Sequence, residues 1–178
     1  MGMYYFTVAS LPSLTYQSQP TLSDVDYLQY LQEKLTPKEF ALVDACRLIP
    51  KESSKANHIL REWISFERSL RLYLAVQRAQ KRQWEFNGSY QPTANLEDKA
   101  REAVSKGNPL EAESYLNELR WEFLENLETG HYFDLEYLQI YYLKLQILNR
   151  KTLFEPKMGR MNFEGTYNEI RNNMDIEI

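Results

Sequence analysis

Between residues 56 and 84 apolar side chains return at a helical period. Ile59, Trp63, Phe66, Leu70, Tyr73 and Leu74 fall on one side at about 100° per residue, and Arg61, Arg68, Arg71, Arg78 and Arg82 fall on the other. A second stripe, Ala112, Leu116, Leu119, Phe123 and Leu127, predicts a helix running to Gly130, and a shorter one, Leu96, Ala100, Ala103 and Val104, closes at Gly107. From Leu135 to Leu148 apolar and aromatic residues occupy every side, so neighbours should surround that helix and make it the central core element. Start signals agree with these periods. Ser23 with Asp26, Thr36-Pro37-Lys38-Glu39, and Asn108-Pro109-Leu110-Glu111 each place an oxygen acceptor where first-turn amides lack partners, the last two with proline where no amide is needed. The predicted helices therefore include Ser23 to about Leu35, Thr36 to about Ile49, about Ala56 to Trp84, one capped by Asn95, and one beginning at Asp134.

The fold class that follows is all-α, a multi-helix bundle. Tyr4 to Leu11 is rich enough in β-branched and aromatic residues to read as a strand, but no second convincing strand follows it; helix and extended strap are equally open there. Asn87-Gly88 and Pro92 make the clearest break, so residues 1–178 are read as one domain with 86–95 as the candidate boundary between sub-lobes. After Lys151 the pattern gives way to Pro156, Gly159, Gly165 and a polar tail with room for one last turn.

Composition narrows the function classes. With 43% hydrophobic residues the chain can bury a core, and its net charge of -4 gives no bulk attraction for nucleic acid. No apolar run reaches the roughly 18 residues of a membrane span, and the opening residues lack the features of a signal peptide, so a cytoplasmic protein is expected; if Met1-Gly2 is a cloning remnant, Met3 is the natural start. The single Cys46 excludes an internal disulfide and a thiolate zinc cluster.

Catalytic signatures are absent: the six glycines form no phosphate loop or nucleophile elbow. Glu128 and His131 have the Glu-x-x-His spacing of di-metal bundles, but the only other histidine, His58, has Lys55 where a second carboxylate should stand; a capping or packing role for His131 is the expectation. Cys46 reads as a small buried hydrophobe. No catalytic residue, metal ligand or cofactor is therefore assigned. The stronger signal is charge segregation. Residues 47–82 carry nine bases against three acids, and residues 108–136 carry eight acids against one base, Arg120. Either the two segments pair with each other, or the arginine row Arg61, Arg68, Arg71, Arg78 and Arg82 is a contact surface for an acidic protein partner.

Two stretches carry a family resemblance: Tyr4-Tyr5-Phe6-Thr7-Val8-Ala9-Ser10-Leu11-Pro12, and Gly130-His131-Tyr132-Phe133-Asp134-Leu135-Glu136-Tyr137-Leu138 followed by Lys144-Leu145-Gln146-Ile147-Leu148. Together they resemble a bacterial family encoded among V/A-type ATPase genes. The second stretch is also similar to the Asp-x-x-Asn-Leu helix start of the d-type subunit of V/A-type ATPases; Asp134 and Leu138 match it, and Tyr137 stands in place of Asn. That d-type component is an all-helical, non-catalytic funnel on the membrane rotor ring. The resemblance implies a coupling or assembly component, peripheral at the membrane, whose partners are rotor or stalk proteins of the ATPase. The competing expectations are a stand-alone helical adaptor for another acidic protein, and an enzyme whose site is not recognisable by motif.

Overall fold

A computed structural model describes residues 2–50, 56–86 and 94–153. Within them lie seven helices and no strand: α1 Gly2–Ala9, α2 Asp24–Gln32, α3 Pro37–Asp44, α4 His58–Lys81, α5 Ala94–Ser105, α6 Pro109–Glu128 and α7 Leu135–Leu153. None is long and apolar enough to cross a membrane. The protein is all-α, as the periodicity predicts.

The start signals act as their chemistry requires. Ser23 accepts from the Asp26 amide, Asn108 from the Leu110 amide, and Asp134 from the Tyr137 amide. At α3 the full capping box forms: Thr36 accepts from the Glu39 amide while the Glu39 carboxylate accepts from the Thr36 amide at 2.9 Å. Thr36→Ala should cost about 1 kcal/mol of stability, read as a lowered urea midpoint at unchanged slope; an unchanged midpoint would show that the cap does not stabilise the fold. Asn95, by contrast, lies inside the first turn of α5, not at its cap.

One choice the sequence leaves open is closed, and one helix boundary differs. Tyr4–Leu11 is helical as far as Ala9 and not extended: with no described strand to pair with it, helix formation satisfies its backbone groups internally. Thr7 and Val8 are buried, and the Tyr4 hydroxyl donates to Glu39 of α3. The boundary that differs is the end of α3, which stops at Asp44, short of Ile49. Residues 46–48 have other partners. The Cys46 carbonyl accepts from Gln146 (2.8 Å), the Arg47 carbonyl from the Trp63 indole (2.8 Å), and the Leu48 carbonyl from Arg71 (3.2 Å). These long-range bonds hold the chain out of helical geometry.

The main core surrounds α7, which packs against α2, α3, α4 and α6. Every residue from Leu138 to Leu148 is buried, including Gln139, Lys144 and Gln146, and each of these polar side chains is bonded. Tyr27 of α2 stacks on Tyr141 and Tyr142 with ring centroids 5.2 and 5.4 Å apart, and its hydroxyl donates to the Leu138 carbonyl. Burial raises all three phenols, Tyr142 to about 12 against partial relief from nearby Arg47. An acid whose folded pKa lies above its unfolded value of about 10 stabilises the fold fully below pH 10 and loses that contribution as the pH rises through 10 to 12. The urea midpoint should therefore fall above pH 10, with phenolate absorbance rising together with loss of helical signal. Titration of every tyrosine near pH 10 with the helices intact would contradict this.

A second, smaller cluster joins Leu70, Tyr73 and Leu74 of α4 to Ala100 and Ala103 of α5 and Leu116 and Leu119 of α6. Helices from both sides of the 86–95 stretch therefore pack on one another, although residues 87–93 themselves lie outside the described residues, as does the tail beyond Leu153. Phe66 borders both clusters and stacks on Phe123 at 4.1 Å, so α4 and α6 are common to the two.

Candidate functional site

The arginine row lies along α4 because its inner face is committed to the two cores. Ile59, Trp63, Leu70, Tyr73 and Leu74 are buried, whereas Arg61, Arg68, Arg71, Arg78 and Arg82 are all exposed. The structure thus brings the five predicted residues onto one face. Their local settings differ. Arg71 reaches back to the Glu67 carboxylate (3.1 and 3.2 Å) and to the Leu48 carbonyl, which ties it to the body of the protein. Arg82 lies over the exposed Trp84 ring at 4.8 Å.

The buried contact between the basic and acidic segments is made by their minority charges. Where α4 meets α6, the buried pair is Glu67 with Arg120, at 2.6 Å, with both side chains at most 8% exposed. Glu67 is an acid of the basic segment, and Arg120 is the one base of the acidic segment. The minority charges are thus spent against each other, while Glu111, Glu118, Glu122 and Glu125 of α6 remain exposed. Among these exposed acids the pairing that links helices is Glu122 with Lys99 of α5, at 3.0 Å. Sequence reasoning missed the buried pair, although its signal is present: Glu67 falls four residues after Trp63 and three before Leu70, on the apolar arc of α4. Arg120 likewise follows Leu116 by four and precedes Phe123 by three.

The residues considered for chemistry are occupied structurally. His131 Nδ1 lies 2.7 Å from one Asp134 oxygen, the other Asp134 oxygen accepts the Tyr137 amide, and Glu128 binds Lys144. His131 therefore sits in the turn that starts α7, and Glu128 points to a different partner. His131, Asp134 and Glu136 do bring polar atoms within 4.8 Å of one another. Cys46 donates to the Leu42 carbonyl and accepts from Gln139; burial pushes its thiol up to about 12, far from the thiolate needed for nucleophilic attack. His58 is exposed beside Glu62.

Two large open clefts are among those that flank α6. One of about 560 Å³ lies between α5, α6 and the 14–17 segment, and is walled by Tyr16, Tyr115 and Trp121 with Glu118, Glu122 and Glu125. Burial raises Tyr16 and Tyr115, the latter to about 12, so neither gains acid–base capacity near neutrality. The other, about 460 Å³, lies between the end of α4, α5 and the start of α6, and contains Arg78 and Arg82 together with Lys81 and Lys106. Lys106 escaped the sequence reading because it belongs to the α5–α6 turn, and only packing of the α4–α5 pair brings it to the arginine row. No family model, curated protein or solved structure matches the chain.

Proposed function

We propose that this chain is a non-catalytic docking component that presents the arginine face of α4 to an acidic protein surface. One observation carries the reading: Arg61, Arg68, Arg71, Arg78 and Arg82 all lie exposed along α4, while the buried charge contact with α6 uses Glu67. Opposite charge across such an interface accelerates encounter and fixes orientation. The setting we propose is a bacterial V/A-type ATPase, with rotor or stalk proteins as partners and a role like that of the d-type component; its support is the resemblance of the Tyr4–Pro12 and Gly130–Leu148 stretches and the all-helical fold. The protein would then work at the cytoplasmic side of the membrane through that complex.

The test is isolation of the tagged chain from cells under gentle, low-salt conditions, with and without Arg61→Glu and Arg68→Glu. Rotor or stalk proteins of the ATPase should accompany the parent chain, and the double variant and raised salt should both release them. Co-isolation with a different acidic protein would favour the stand-alone adaptor. Co-isolation that charge reversal leaves untouched would overturn the arginine face as the contact.

A further inference from the structure

The last turn of α4 does more than extend the arginine row. Arg78, Lys81, Arg82 and Lys106 surround a single cleft of about 460 Å³, and among the described residues no acidic side chain lines it. Part of this charge is held by the protein itself: Lys81 donates to the Val104 carbonyl at 2.8 Å, and Lys106 pairs with Glu102, outside the lining, at 3.0 Å. The start of α6 at Pro109 also borders the cleft, and the positive end of its dipole adds to the potential. With Lys106 offset by Glu102, the like charges of Arg78, Lys81 and Arg82 around one concavity repel one another, and an anionic ligand relieves that repulsion.

The floor discriminates among anions. Apolar side chains share the lining of the cleft, Ala112 together with Leu74 and Leu116 of the second core cluster, in a volume typical of ligand pockets. A bare phosphate gains nothing from such a floor, whereas a peptide with an apolar side chain between carboxylates uses both parts of it. Arg78 lies in the last turn of α4 and Arg82 is its C-cap, four residues on and about 6 Å further along the axis, which matches carboxylates spaced four residues apart on a partner helix. We infer that this cleft is the receptor for an acidic amphipathic helical segment, which seats one apolar side chain on the floor and its carboxylates on Arg78 and Arg82. The inference rests on the docking reading above and gives its partner a chemistry.

A fluorescein-labelled helical peptide with glutamates four residues apart around a central leucine is the probe, titrated against the full chain. It should bind, and binding should weaken about tenfold or more with Arg78→Glu/Arg82→Glu. It should weaken comparably when the peptide's leucine becomes serine, a change that leaves the protein untouched, and should change less than about threefold with Arg61→Glu/Arg68→Glu. Equal binding of the serine peptide, or displacement of the leucine peptide by inorganic pyrophosphate at lower concentration than by unlabelled peptide, would reduce the cleft to a plain anion site and overturn the inference. So would indifference to the Arg78 and Arg82 reversals. The whole-face reading fails separately, if Arg61→Glu/Arg68→Glu leaves co-isolation intact while the peptide still seats in the cleft.

Discussion

Replacing Arg120 with methionine is expected to cost about 3–5 kcal/mol of unfolding free energy. Glu67 is fully buried on α4, and its Oε1 accepts from the Arg120 Nε at 2.6 Å; the guanidinium is itself held by Asn117. Removing the guanidinium leaves a buried carboxylate whose remaining cation, Arg71, is half-exposed and bonded to the other oxygen. The loss should therefore fall toward the lower end of the range. Removing both charges is a different experiment: Glu67→Leu/Arg120→Met lets two apolar chains meet beside Phe66 and Phe123, and should recover most of the deficit because no unpaired charge remains. Urea unfolding of the parent, both single variants and the double variant measures this. Single variants within about 1 kcal/mol of the parent, or a double variant as unstable as Arg120→Met, would show that the pair does not control the α4–α6 seam.

Trp63→Ala should destabilise by about 3–5 kcal/mol, the range for deleting a large buried aromatic. The ring has no exposed surface and lies against Phe66 and Phe123, with centroids 5.8 and 6.3 Å away. Its indole nitrogen also donates to the Arg47 carbonyl in the segment where α3 has ended. Trp63→Phe separates these roles: it keeps most of the packing, leaves the Arg47 carbonyl without its donor, and should cost about 1–2 kcal/mol. Thermal unfolding of the two variants should rank them in that order; equal losses would assign the whole effect to the hydrogen bond.

These two residues also show where sequence reasoning reaches and where it stops. Helix starts are legible because their causes are local: Thr36, Pro37 and Glu39 lie within four positions, and Asn108 and Pro109 are adjacent. The central place of α7 is legible from its apolar residues on all sides, and the outward arginine row of α4 from its period. The end of α3 is not, since its causes are Trp63, Arg71 and Gln146, as much as 100 positions away along the chain. The cleft at Arg78 and Arg82 is half legible. Its arginines follow the helical repeat, but Lys106 and the apolar floor arrive only when α5 and α6 pack against α4.

The length of α4 carries a last consequence. From Arg61 to its C-cap Arg82 the helix advances roughly 30 Å, at about 1.5 Å per residue, which is about the breadth of a patch of roughly 800 Å² on one partner. A short segment seated at Arg78 and Arg82 leaves Arg61 roughly 25 Å away and uncovered. Only an elongated ligand spans the rod from end to end, so reach, and not charge alone, separates a companion that grips this molecule along its whole span from one that merely touches its tip.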